Sequence, residues 1–443
     1  MLSKEDNELL CRVGPGTPMG NLMRQYWIPA ARSDELPVPD GAPMRVRLLG
    51  EDLIAFRTTF GAVGIVQNAC PHRGASLFFG RNEEEGLRCV YHGWKFDVSG
   101  ACVDMPSEPA ESNFKTKVRT KAYPVQERGG IIWAYMGDRV KPPPLPDLEA
   151  NMLEAGETVM YLYSMECNWM QGWEGEMDTV HAAFLHSGAT RVEDTVPGTF
   201  AYYQAKHRDA MFSVMDTEWG TSYGVRRPAE EDTYYWRIAH LLFPFYAMVP
   251  TGVLGLEVRF RAYVPIDDYN TMVWTINTLQ PDRQRAVVPR GAAAGGTAVQ
   301  LDYRPNTTEW LGRWRMKANL SNDFLVDRDL QKSGESFSGI RGIRQQDAAV
   351  TGSMGPIYNR SAEHLGTTDA LIIRTRRRAI AAAKALRDEG ILPPGVDEPA
   401  IYRQRSGGVI LPRPADWWDA TQDLRRAFVD RPELAPMATL GNA

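Results

Sequence analysis

The sequence predicts an α+β protein of at least two domains, a small all-β unit followed by a larger mixed one. Three observations carry this. The chain has 443 residues, whereas a single hydrophobic core stops growing at roughly 250–300 residues. Short strand-like runs punctuated by Gly, Asp and Asn fill the region from Met44 to about Val140, a pattern that favours an all-β unit. Beyond it, alternating aromatic-rich runs precede one long helical segment, and strands followed by helices in one region read as α+β.

In chain order, Ser3 before Glu5, Asp6 and the apolar pair Leu9 and Leu10 reads as a capped short helix, stopped by Gly14-Pro15-Gly16. Strands are expected at Met44–Gly50, Leu53–Phe56, Gly64–Val66 and Gly130–Tyr135. The proline-dense Lys141–Pro146 reads as a linker or domain edge. A helix is expected from about Glu174 to His186. Antiparallel strands are expected at Tyr234–His240 and Leu256–Tyr263, and a flexible loop at 291–296. Asp369 to Glu389 is the clearest helix: acidic at its head, rich in alanine, with Gly390 as its stop.

Composition excludes several classes. With 43% hydrophobic and 24% charged residues, the chain is neither disordered nor fibrous. A formal net charge of -5 argues against a nucleic-acid partner, which selects a basic surface. No apolar run approaches the ~20 residues that span a bilayer, and the charged start has no signal-like apolar region. The expectation is a cytoplasmic protein without a membrane anchor. Five cysteines, odd and sparse, do not form a disulfide framework.

Four of the seven histidines fall in two clusters with other ligand-type residues. The first cluster is Cys70-Pro-His72 with Cys89-Val-Tyr-His92. Two loops each offering one thiolate and one imidazole supply four ligands. A structural zinc ion is a competitor. A Rieske [2Fe–2S] centre, with two cysteines on one iron and two histidines on the other, suits the alternation better. Gly74 and Gly93 stand where backbone passes close to the sulfides, and amides there tune the cluster.

The second cluster is Asp178, His181 and His186. Asp178 and His181 share a helix face. His181 and His186 are five apart, ~140° on a regular helix, so either a π-type turn widens the helix or it ends there. Two histidines and one carboxylate on one face of a metal leave positions open for dioxygen and substrate, the non-haem iron arrangement. Glu174, Glu176 and Asp178 are local candidates for the carboxylate, although three ligands from one helical segment would strain it. Two redox centres, with no Rossmann fingerprint and no flavin site in the chain, imply electrons from a separate reductase.

The chain resembles the phthalate-dioxygenase-type branch of the Rieske non-haem iron oxygenases, oxygenase (alpha) component, over nearly its full length. The matching stretches are Pro71–Ser76, Arg88–Lys95, Asp178–His181, Gln346-Asp347 with Ser353–Ile357, and Glu363–Asp369. Asn359 departs from the Asp more usual there. The resemblance implies a Rieske cluster on Cys70, His72, Cys89 and His92. It also implies a mononuclear Fe(II) on His181, His186 and Asp347, with Asp178 bridging to a cluster histidine of the next subunit, His92. It divides the chain into an N-terminal segment with the Rieske domain at 1–148 (core about 27–140) and a catalytic domain at 149–443. The latter is a helix-grip (START-like) fold, an antiparallel sheet wrapped on a long C-terminal helix. The implied partners are an NAD(P)H-dependent reductase of flavin and ferredoxin type, dioxygen and a small aromatic acid, in a homotrimer or a multiple of it. Ring dihydroxylation and O-demethylation both stay open.

The apolar Ala239–Met248 suits a planar ring or ordinary sheet core. His207, Arg208, Arg226 and Arg227 are candidates for a substrate carboxylate, though each singly reads as a solvated charge. Outside the oxygenases, a Rieske electron-transfer protein with a partner-binding second domain and a zinc-binding interaction module remain alternatives.

Overall fold

The computed structural model describes residues 2–154, 156–250, 252–256, 258–278 and 301–427. The loop expected at 291–296 lies outside them. Ser3 caps helix α1 (Lys4–Cys11) by accepting a hydrogen bond from the Asp6 amide at 3.0 Å.

The small all-β unit contains two four-stranded antiparallel sheets. One comprises Met44–Leu48, Glu51–Arg57, Val63–Gln67 and Ala122–Tyr123. The other comprises Arg81–Glu83, Gly86–Arg88, Lys95–Phe96 and Cys102–Asp104. Ile54, Phe56, Val66, Leu77, Leu87 and Phe96 fill the space between them, together with Cys70, Cys89 and Trp94. A third sheet pairs Trp27–Arg32 and Val125–Arg128 with Ile131–Tyr135. Its Trp27, Trp133 and Tyr135 belong to the large core, alongside Trp169, Trp173 and Trp274. The proline-dense stretch is therefore a packed strap rather than a free linker. The Trp27 indole donates to the Pro143 carbonyl at 2.6 Å, and Leu145 and Leu148 are buried.

The larger unit is an antiparallel sheet with the path Thr158–Met165, Thr271–Thr278, Arg259–Pro265, Tyr246–Met248, Thr233–Leu242, Gly220–Pro228 and Met211–Thr217. Gly407–Pro412 also pairs with Thr233–Leu242. Three helices serve the site: α2 (Trp169–Met177), α3 (Ile343–Ser353) and the long α4 (Ala370–Glu389). Gly390, at φ 69°, ends α4 in a left-handed turn that most side chains avoid. Leu371, Ala379, Ile380 and Ala383 bury one face of α4. The Thr375 and Thr221 hydroxyls meet at 2.7 Å, and Arg374 pairs with Asp216, so the helix is clasped by the sheet as expected. Among the described residues, no helix is long and apolar enough to cross a membrane.

One expected element is corrected. The helix predicted from Glu174 to His186 ends at Met177, and Asp178 is extended at φ -88°, ψ 97°. Asp178 Oδ1 accepts from the Val180 and His181 amides at 2.8 and 3.2 Å. The side chain thus replaces the helical acceptor and starts a new turn. The apolar run Ala239–Met248 is sheet core: Phe243, Phe245 and Tyr246 lie in the main cluster.

Candidate metal centres

The two loops of the first cluster are built alike. In one, the Cys70 amide donates to Ala75 O at 2.8 Å and the Gly74 amide to Cys70 O at 2.9 Å. In the other, the Cys89 amide donates to Trp94 O at 2.8 Å and the Gly93 amide to Cys89 O at 2.9 Å. Gly74 and Gly93 have φ of 77° and 78°, which glycine adopts at little cost. Both cysteines are buried, while His72 and His92 are half-buried with ring centroids 4.4 Å apart. The His72 ring stacks on Trp94 at 4.2 Å. Arg88 braces the second loop, donating to Gly93 O and to Asp104, each at 2.7 Å.

Chemically, this donor set asks for a metal. His72 Nδ1 is buried without a hydrogen-bond partner, a costly state for a bare nitrogen. Burial, and then the proximity of Cys89, push the Cys70 thiol up to about 11. A bound cation would hold Cys70 as the thiolate that its burial otherwise disfavours. The residues fit a Rieske cluster.

The second centre begins where α2 stops. His181 opens a short 3₁₀ turn, and the Ser187 amide reaches back five residues to Ala182 O at 3.1 Å. That widened turn resolves the five-residue spacing: the two Nε2 atoms come to 3.0 Å. Asp347, on α3, places Oδ1 3.0 Å from His186 Nε2 and 3.6 Å from His181 Nε2. All three donor atoms lie within 4.8 Å of one another. Two ligands bound at right angles with ~2.1 Å metal–nitrogen bonds would stand ~3.0 Å apart, so the donors fit one ion. Glu174 and Glu176 are not part of this trio. Glu174 pairs with Arg360 and Arg376, and Glu176 with Arg261 and Tyr263.

Asp178 stands behind His181, with Oδ2 3.7 Å from Nδ1, too long for a hydrogen bond but close enough for charge attraction. Burial works against its ionised form, yet His181 and the two amides hold Asp178 below the usual carboxylate range. Desolvation likewise opposes protonated His181, but Asp178 and Asp347 raise it. Burial is also overcome at Asp347, which His186 and His181 hold low. Gln171 fixes α2 against α3, donating to Thr351 O and Gly355 O at 2.9 Å each.

The four substrate candidates separate. Arg208 braces the metal loop, donating to Ala183 O at 3.1 Å and Gly188 O at 3.0 Å. Arg226 lies over the Tyr234 ring. His207 offers its backbone carbonyl to Arg227 Nε at 2.9 Å. Arg227, far from being solvated, is only 1% exposed, and both its terminal nitrogens lack partners. The sequence missed Arg237, Thr179 and Gln346 as parts of these surroundings. Arg237 is buried, donates to Thr179 Oγ1, and sits 3.7 Å above the Phe200 ring. Gln346 meets His186 Nδ1. Asn359 accepts from the Ser361 amide and hydroxyl, an ordinary turn bond.

A set of two cysteines and two histidines on a small β domain and a two-histidine, one-carboxylate trio in a helix-grip domain are the donors that a two-centre oxygenase requires. The Rieske [2Fe-2S] domain family matches residues 26–124, and the LigXa C-terminal domain like family matches 134–432. The 3-chlorobenzoate-3,4-dioxygenase oxygenase subunit of Comamonas testosteroni is 48% identical over 421 residues, 94% of this chain and 97% of its own length. The phthalate 4,5-dioxygenase oxygenase subunit of Pseudomonas putida is 36% identical, covering 95% and 94%. The 5,5'-dehydrodivanillate O-demethylase oxygenase subunit of Sphingobium sp. (strain NBRC 103272 / SYK-6) is 33% identical, covering 96% and 89%. Among solved structures, the terminal oxygenase of carbazole 1,9a-dioxygenase from Nocardioides aromaticivorans IC177 shares the fold. Its TM-score is 0.53 at 19% identity, covering 86% of this chain and 98% of that one. The chain belongs to the Rieske non-haem iron oxygenases, as a terminal oxygenase component carrying a Rieske [2Fe–2S] cluster and a mononuclear iron. The zinc-module and electron-transfer alternatives give way to this membership.

Proposed function

We propose that the protein inserts oxygen from dioxygen into a small aromatic acid, by ring hydroxylation or O-demethylation. In this reading Cys70, His72, Cys89 and His92 hold the cluster. His181, His186 and Asp347 hold the iron. The units carrying them divide at 148/149. When loaded, the two centres supply the electrons and the site of dioxygen activation.

The protein's own residues orient and charge the site. The charge of Asp178, 3.7 Å behind Nδ1 of His181, favours the proton on that nitrogen and so leaves Nε2 for Asp347. In an assembled homotrimer the same carboxylate faces His92 of the partner subunit. Electrons come from a separate NAD(P)H-dependent reductase of flavin and ferredoxin type, and the protein works in the cytoplasm.

One observation carries the choice of an acid. Arg227 and Arg237 are diagonal neighbours on adjacent strands, both buried. Burial, and then the charge of Arg237, bring Arg227 down to about 10. A buried guanidinium with two free donors is expensive unless an anion completes it. Arg237 reaches Thr179, next to Asp178, so such an anion would lie on the flank of the iron ligands. The relatives named for 3-chlorobenzoate and phthalate act on aromatic carboxylates, in support. The test is a single turnover: reduce the loaded protein without air, add aromatic acids with and without methoxy groups, admit dioxygen, and weigh the products. Gain of two oxygens and two hydrogens marks a dihydroxylase, and formaldehyde marks a demethylase. Turnover of neutral arenes with none of any acid would defeat the proposal.

A further inference from the structure

His186 is gripped at both ring nitrogens by consecutive residues of α3. Asp347 Oδ1 stands 3.0 Å from Nε2, and Gln346 Oε1 stands 2.7 Å from Nδ1. The Gln346 amide is itself fixed, because its Nε2 donates to Ile340 O at 2.8 Å and to Ser338 Oγ at 3.1 Å. A backbone carbonyl only accepts, so the nitrogen end of the amide must face Ile340. The oxygen end is left for His186, and an amide oxygen also only accepts. Nδ1 therefore carries the proton, and Nε2 presents its lone pair towards His181 and Asp347. Gln346 is 1% exposed, so water does not compete for these bonds.

The surrounding backbone is set without help from a metal. Gly339 and Gly342, at φ 73° and 87°, turn the segment that brings Ser338 and Ile340 to the amide. Phe337 packs on Phe184 with ring centroids 6.1 Å apart. A Cβ on Gly188 would meet the Phe337 ring at 2.5 Å. The turn at 338–340 and the loop bearing His186 are thus seated on each other. His181 is backed differently, by a carboxylate at 3.7 Å.

We infer that Gln346 is a positioning residue which fixes the tautomer and ring plane of His186, with the Ile340 carbonyl as its anchor. The inference rests on reading His186 and Asp347 as iron ligands. The experiment titrates ferrous iron, without air, into iron-depleted, cluster-loaded full-length protein. Bound iron is read from the electron paramagnetic resonance of its nitric oxide adduct, to which the oxidised cluster adds no signal. Gln346→Met removes the acceptor and should weaken ferrous binding about 10–100-fold, with cluster absorbance and acid-labile sulfide unchanged. Gln346→Glu keeps an oxygen for Nδ1 but loses the donor to the Ile340 carbonyl, so its loss of ferrous affinity should be smaller than that of Gln346→Met. Wild-type affinity in Gln346→Met overturns the inference. Equal losses in both variants overturn it too, since side-chain packing rather than the acceptor would then be at stake. Asp347→Ala separates the two levels. If it binds iron normally, the ligand reading itself fails. If it abolishes binding while Gln346→Met binds normally, only the role of Gln346 falls.

Discussion

The two centres, as proposed, are built on opposite plans. The cluster residues come from one short stretch, Cys70 to His92, held by two loops that close on their own backbone. That site stands near the surface: Val90 and Tyr91 beside it are 57% and 55% exposed. The iron site draws on residues far apart in sequence, His181 and His186 with Asp347. Its supports reach further still, from Gln171 to Thr351 and from Glu174 to Arg360 and Arg376. A small self-contained site suits a relay that must meet other proteins. The iron site exists only once the large domain has folded, which ties its half-buried donors to contacts between distant segments.

The largest effects should separate the centres completely. Asp347→Ala is expected to abolish turnover while leaving acid-labile sulfide and the cluster spectrum intact. Cys89→Ser should do the reverse, removing the cluster while ferrous iron still binds. Loss of both metals in either variant would show the two units to be one cooperative body.

Next comes the support of the iron site. Glu174 is buried between Arg360 and Arg376, and Glu174→Gln leaves uncompensated charge in the core, so stability should fall by about 3–5 kcal/mol. Its pH dependence has a definite sign. Burial opposes the carboxylate, but the two arginines hold Glu174 below its ordinary value. Its contribution is therefore fully present above ~4.3, the unfolded value, and is lost as pH falls through the lower folded one. Thermal melts between neutral and acidic pH should show a steeper acid loss in wild type than in Glu174→Gln.

The same contrast explains what the sequence makes legible. Candidate ligands in one short stretch leave a readable spacing, so a cluster on Cys70, His72, Cys89 and His92 could be proposed from those residues alone. The strands and α4 were legible too, because alternation, an acidic head and a glycine stop are local signals, whereas the clasp of sheet on helix came only from the family resemblance. The third donor proposed for the iron was not: nothing in the spacing around His181 selects Asp347 from the acidic residues, and only family resemblance pointed to it. The helix through Asp178 was misread because Glu174 to His186 contains no proline, and its one glycine, Gly175, lies inside the helix that does form. The chain leaves the helix when the Asp178 carboxylate captures two amides, a choice the pattern does not record. Arg227 read as a surface charge since burial of an unpaired guanidinium depends on strands that meet only in the fold.

Catalytic effects without loss of metal should be intermediate. Asp178→Asn keeps the side-chain volume and removes the charge behind His181, so turnover should fall about 10–100-fold with both centres still loaded. Stopped-flow oxidation of the reduced cluster should slow in parallel. An unchanged rate would leave Asp178 as a turn-former alone. Arg227→Leu should act on substrate instead, lowering kcat/KM for an acid about 10–100-fold through the lost charge-assisted bonds. The amide of the same acid should be turned over equally by both proteins.

The smallest effect belongs to the cluster unit. Arg88, beneath the Cys89 loop, pairs with Glu83 at 2.7 Å, and both side chains remain partly open to water. Exposed pairs are screened by water and salt. The loop also keeps its bond from Arg88 to Gly93 O and its internal amide bonds whatever happens to Glu83. Glu83→Gln should therefore barely move the melting temperature, and molar salt should erase the difference. The Glu174→Gln deficit should persist in the same salt, because its charges lie beyond the reach of ions. If salt erased both deficits alike, the iron site would have no buried electrostatic frame beneath it, and the contrast between a locally closed centre and an assembled one would fail at its foundation.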